Sequence, residues 1–95
     1  MSGHVFHPGH HELHGITVVL RTTDGQIFVG RFDSVDDGGV RMLGVGGFNP
    51  ERDGTPAEFL ARTNKFGVRV DRAAATVSNA LVSSITPLNE VSEIK

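Results

Sequence analysis

Five histidines fall within the first fourteen residues, at His4, His7, His10, His11 and His14. Imidazole is a common ligand for divalent transition metals and titrates close to neutral pH. On a helix His7, His10, His11 and His14 would share one face, with His10 and His14 as an i, i+4 pair suited to a single ion. Pro8 and Gly9 oppose a helix before residue 10, which leaves one turn at most. The string His11-Glu12-Leu13-His14 is one residue short of the His-Glu-x-x-His spacing of zinc proteases, so that motif is absent. The segment reads first as a solvated tail with opportunistic metal affinity. Its second reading is a metal- or pH-responsive element, with His7, His10, His11 and His14 as ligands.

A second group with chemistry is cationic. Arg62, Lys65, Arg69 and Arg72 lie within eleven positions that contain one acid, Asp71. Such a patch can neutralise phosphates of a single strand, or it can be a solvated strand edge. Arg21, Arg31 and Arg41 could line another surface. A catalytic constellation is missing: there is no cysteine, and no Gly-x-Ser-x-Gly elbow around a serine. Gly44-Val45-Gly46-Gly47 lacks the Lys and Ser/Thr of a phosphate loop, and Asp36-Asp37 reads as a turn. The expectation is a protein that is not an enzyme and needs no cofactor.

The elements that must position these groups are short. At 95 residues and 10.2 kDa the chain is one domain, and twelve glycines favour turns over long helices. A chain without cysteine has no disulfide framework or thiolate metal site. No apolar run is long enough to span a membrane, and no leader pattern opens the chain, so the expected location is cytoplasmic, or the host cytoplasm if the chain is phage-encoded. The net charge of −2 offers no global attraction for nucleic acid, so any such role rests on a local patch.

Ile16, Val18 and Leu20 alternate with Thr17, Val19 and Arg21, a period of two in β-branched residues. Asp24-Gly25 suits a tight hairpin, and a second strand runs from Gln26 to Val35. Asp36-Asp37-Gly38-Gly39 turns the chain into a third strand from Val40 to Val45. Residues 44–66 break the pattern as an insert. Within it, Thr55-Pro56-Ala57-Glu58 forms a capping box that predicts a short helix from Pro56 to about Arg62. Strand character returns at Phe66–Val70, Ala75–Val77 and Ala80–Ile85, ending at Thr86-Pro87; the competing reading of Asp71–Ser84 is a helix, favoured by Ala73, Ala74 and Ala75. The organisation is a His-rich segment at 1–14, a β domain at 15–87 and a polar tail at 88–95.

These residues resemble the Sm-like (LSm) proteins. Their first motif, an alternating apolar strand followed by Gly-x-x-apolar-x-Gly-x-apolar-x-x-apolar-Asp, is matched by Ile16, Val18, Leu20, Gly25, Phe28, Gly30, Phe32, Val35 and Asp36. The second is matched in length by Val77–Pro87, with Ser78 where Arg is expected and Asn79 where Gly is expected. The resemblance covers about residues 10–87. It implies a mainly β fold, a small, strongly bent five-stranded antiparallel barrel of the SH3-like kind, with a short helix in the insert. It also implies a homo-oligomeric ring of roughly five to seven subunits joined through strand edges.

The family's uridine pocket uses a stacking ring, an Asn and the motif's Arg. The matching positions here are Gly38, Val40 and Ser78, none of which can do that chemistry. The expected function is a ring-forming adaptor or scaffold, with single-stranded nucleic acid as its partner at Arg62, Lys65, Arg69 and Arg72. The alternatives are a structural or protein-interaction module using insert 44–66 as a dispensable contact surface, and a metal-responsive protein using the histidines.

Overall fold

The computed structural model describes residues 13–91. The site read from His7, His10 and His11 lies outside the described residues, as does His4. Five strands form one antiparallel sheet: β1 (Thr17–Thr22), β2 (Ile27–Asp36), β3 (Gly39–Gly47), β4 (Arg72–Val77) and β5 (Val82–Pro87). Their order is β4-β3-β2-β1-β5, so β4 and β5 are the outer strands. Between β3 and β4 stand two helices, α1 (Pro50–Asp53) and α2 (Pro56–Phe66). Short 3-10 turns follow at Asn79–Leu81 and Leu88–Glu90. No helix among the described residues is long and apolar enough to cross a membrane.

The sheet bends where its sequence allows. Gly25 closes the first hairpin at φ 89°, a left-handed value that side chains resist. Thr22 holds the same turn, sharing a hydrogen bond with the Asp24 side chain and accepting one from the Gln26 amide at 2.9 Å. At Gly30 the pairing of β2 with β3 slips between Val29 and Arg31. A Cβ there would sit 3.0 Å from Val45 Cγ2 and 3.1 Å from the Leu43 carbonyl, so only glycine lets the strands approach so closely. A second slip between Phe32 and Ser34 changes the parity of β2. Phe28 and Phe32 share one parity, and the slip brings Val35 round to the same core.

The sheet is apolar on both faces. One core holds Val18, Leu20, Phe32, Val40, Met42, Val45 and Val77, with Val82 and Ile85 packed against it. Both outer strands contribute to it, so the sheet curls around this core. The other core holds Val19, Ile27 and Val29 from the sheet and Phe59, Leu60 and Val91 from outside it. Phe48 extends it, with its ring 5.4 Å from that of Phe59. In α2, positions 59, 60 and 63 face inward, the spacing of a one-sided helix.

Five expectations change. The helix continues through Phe66, past Arg62, because nothing in Thr63-Asn64-Lys65 stops it and Gly67, at φ 93°, does. Residues 67–70 are therefore a link and carry no strand. The excursion from the sheet covers 48–71, since β3 pairs through Gly47 and β4 begins at Arg72. The tail is polar only in part: Leu88 and Val91 pack in the second core. The final strand starts at Val82, after the 3-10 turn takes up 79–81.

The insert is not dispensable, because it supplies half of a core. Leu60 is completely buried, and Leu60→Ala removes about 2–5 kcal/mol of stability, whereas Phe66→Ala, at a side chain 74% exposed, changes it by less than about 0.5 kcal/mol. Urea denaturation of the two variants beside the parent measures both. Replacing 48–71 by a short turn bares Val19, Ile27 and Val29 and yields a chain without a cooperative unfolding transition.

Candidate nucleic-acid interface

The turns after β2 and β4 meet. The carboxylate of Asp36 accepts from the Gly38 amide at 2.8 Å, as an aspartate at a turn entry does. Its backbone carbonyl accepts from the Asn79 side-chain amide at 2.7 Å, which ties the first turn to the second. Gly39, at φ 131°, lets them close: a Cβ would lie 2.3 Å from the Val77 carbonyl. Gly38 and Ser78 thus sit on neighbouring, exposed turns.

Val40 does not join them. Asp36 already pairs with Gly39, so Asp37-Gly38 is the whole turn, and Val40 pairs with Val35 on one side and Val77 on the other. Its side chain is 1% exposed in the first core. Arg41 is the residue that faces outward next, 3.7 Å from Asp33. The position matched to a base-reading Asn is therefore a core position. With glycine on one turn and serine on the other, this corner offers neither a ring to stack on nor a guanidinium.

His14 Nδ1 is 2.7 Å from the Asp33 carbonyl of β2. No group of three or more metal-ligating side chains gathers among the described residues.

The cationic residues separate. Arg62 and Arg69 line one cleft of about 200 Å³ between α2 and the 67–70 link, together with Arg52, Asp53, Phe59, Thr63, Phe66, Gly67 and Val68. Lys65 lies against the exposed ring of Phe66, 5.3 Å from its centroid. Arg72 is outside the lining, at the start of β4 opposite Val45. Arg69 and Arg72 have no acidic partner within ion-pair distance among the described residues.

Arg52 and Asp53 are not among the residues that sequence pattern singles out. Asn49-Pro50 was the available signal, since Asn caps α1 by accepting from Glu51 N at 2.9 Å and Pro opens it. Asp53 is 3% exposed. Arg52 donates to both of its oxygens, Nε to Oδ1 and Nη2 to Oδ2, each at 3.0 Å. The Asn49 amide donates to Oδ2 at 2.9 Å, and Arg62 stands 3.5 Å from Oδ1. Arg52 also donates to the Gly47 carbonyl at 2.8 Å and lies 3.7 Å from Asp71, whose carboxylate accepts from the Gly47 amide at 2.9 Å. One acid thus fastens both insert helices to the end of β3.

The hydrogen bonds from Arg52 hold the Asp53 carboxyl below its ordinary value against the opposing effect of burial, with the Asn49 amide and the Arg62 charge adding to them. A carboxylate with a depressed folded-state pKa contributes stability above its unfolded value and loses it as pH falls through the folded one. The Asp53 contribution is therefore complete above about pH 5, begins to fall near the ordinary carboxylate value of about 4, and is gone only below the depressed folded-state value. Thermal unfolding midpoints measured from pH 7 to pH 2 should fall steeply at the acid end for the parent. Asp53→Asn should start lower at pH 7 and show a shallower acid limb.

No protein-family model matches the chain, and no curated protein matches its sequence. Among solved structures it is similar to a novel Sm-like archaeal protein from Pyrobaculum aerophilum, with a TM-score of 0.57 and 10% identity over 84% of this chain and 48% of that one. The chain spans about half the length of that protein. It is also similar to the SmAP1 heptamer of P. aerophilum, with a TM-score of 0.59 and 15% identity over 84% of this chain and 88% of that one. At such low identities the likeness concerns the backbone, and what it establishes is that this chain has the Sm-like fold.

Proposed function

We propose that this chain is a ring-forming scaffold for single-stranded nucleic acid, assembled from copies of itself and lacking a uridine pocket. The observation that carries the reading is the state of its two outer strands. β4 (RAAATV) and β5 (VSSITP) each run six residues with one side of the backbone unpaired among the described residues. Soluble proteins usually blunt such edges with charge, proline or a cover. Here the only charge is Arg72 at the first residue of β4, and the only proline is Pro87 at the last residue of β5. Edge-to-edge pairing around a closed ring satisfies both strands at once. The SmAP1 neighbour is a heptamer, which supports the same use of the fold.

The nucleic-acid half of the reading rests on charge that is not already spent. Arg69 and Arg72 have no acidic partner among the described residues, and Lys65 contacts only a ring. These groups can neutralise phosphates on the insert side, away from the corner at Gly38 and Ser78. Binding should then show little preference for uridine and should weaken steeply with salt.

Sedimentation velocity at micromolar concentration should give a ring of roughly five to seven subunits. A monomer would overturn the scaffold. Fluorescence anisotropy with labelled uridylate and adenylate decamers should show comparable binding to both at low salt. Failure of every homopolymer to bind at low salt would overturn the nucleic-acid half.

A further inference from the structure

The cleft at the C-terminal end of α2 has the chemistry of a small binding site. Its floor is apolar, made by Phe59 and Val68. Its lining holds three guanidinium groups, those of Arg52, Arg62 and Arg69, against the single carboxylate of Asp53. That carboxylate is taken: Arg52 binds both of its oxygens and the Asn49 amide binds one of them. Asp71, outside the lining, also stands 3.7 Å from Arg52, and Arg62 is 3.5 Å from Asp53, so Arg69 is the lining cation without an acidic partner among the described residues. Arg69, whose guanidinium carries unused donors in a planar fork, is suited to a phosphate or carboxylate.

Two further observations point to a ligand. Thr63 is 6% exposed and lines the cleft, and its hydroxyl has no hydrogen-bond partner among the described residues. A buried hydroxyl without a partner is costly and uncommon, and a ligand atom in the cleft would satisfy it. Phe66, at the mouth, leaves its ring 74% exposed beside the Lys65 ammonium. A bare aromatic ring among cations is how proteins hold an unpaired base, by stacking on its face while cations take the backbone.

Size decides how the parts divide. A cleft of about 200 Å³ is smaller than the roughly 300–1,000 Å³ of sites that enclose a whole drug-sized ligand. It admits a phosphate and part of a sugar and leaves a base outside. We propose that this cleft binds one nucleotide unit, its phosphate among Arg52, Arg62 and Arg69 and its base on Phe66. The unit is a residue of a strand or a free nucleotide. For the strand the proposal rests on the scaffold reading above and names the contact that holds the cargo. For the free nucleotide it stands alone.

The test uses the full chain and three probes: adenosine 5′-monophosphate, inorganic phosphate and a labelled adenylate decamer. Calorimetry should show the nucleotide binding more tightly than phosphate. Phe66→Ala should erase that difference, a loss of about tenfold or more. Arg69→Gln should weaken all three probes about tenfold, and Thr63→Val should weaken them about threefold or more. Unchanged unfolding midpoints of Phe66→Ala and Arg69→Gln exclude a folding defect. If the decamer binds and these variants leave it unaffected while Arg72→Gln weakens it, the cleft proposal fails and the scaffold reading stands. If the nucleotide binds and the decamer does not, the cleft stands as a free-nucleotide site and the nucleic-acid reading fails. Equal affinity for phosphate and nucleotide overturns the role of Phe66, and no binding by any probe overturns the whole proposal.

Discussion

Three consecutive residues of β1, Val18, Val19 and Leu20, are each no more than 1% exposed. Successive side chains of a strand point to opposite faces, so this run obliges the sheet to be covered twice. The first cover comes from the sheet itself, which curls at Gly30 and along β2 until β4 and β5 reach the same core. The second cannot come from five strands that are all committed to the first. It comes from Phe59 and Leu60 of the insert and from Leu88 and Val91 beyond the last strand. An antiparallel sheet with one wet face would need neither. The insert thus answers a constraint set in the first strand, and its position, length and one-sided helix follow from it.

Covering a face fixes where the insert lies, and charge fixes how it is held. Asp53 gathers Arg52, Arg62 and the Asn49 amide, and Arg52 carries the connection on to Gly47 and Asp71. Removing two carboxylate oxygens from water is costly unless every lone pair finds a donor, and here the donors come from both helices. The consequence reaches the surface. Arg52 and Arg62 are held by Asp53, and Arg52 by Asp71 as well, so the cation left without an acid beside the cleft, among the described residues, is Arg69. Structural neutralisation is incomplete on the side where α2 ends, which is also where the exposed ring of Phe66 stands.

Short-range features were legible in the sequence. The Asp24-Gly25 hairpin, the glycine at the bend, the aspartate that caps its own turn and the Thr55–Glu58 capping box are each decided within a few residues, and each is present. What escaped depends on distant partners. Phe59 and Leu60 are core only because Val19, Ile27 and Val29 face them across the chain. Val40 looked like a rim position by counting along the motif, yet the two-residue turn at Asp37-Gly38 rotates it inward. Arg62 was grouped with Arg72 by proximity in sequence, and the fold places it instead with Arg52, on a helix the sequence reading had not drawn. Thr63 gave no signal at all, since an unpaired hydroxyl becomes notable only once it is buried.

The net charge of −2 acquires a different meaning in this arrangement. Copies that each carry a small negative charge repel weakly, so the proposed association through β4 and β5 would have to come from backbone pairing and small apolar side chains, which those strands supply. Around a ring the repulsion accumulates, but at physiological salt it is screened within roughly 8 Å. On the insert side Arg69 and Arg72 have no acidic partner among the described residues, and Asp71 beside them is engaged by Arg52 and by the Gly47 amide. In the proposed ring, repetition would favour a long ligand over a short one, because several modest contacts at a fixed spacing add to affinity as more are engaged. In the proposed scaffold, contact would fall on the helix that closes the second core and not on the turns between strands, where Gly38 and Ser78 stand.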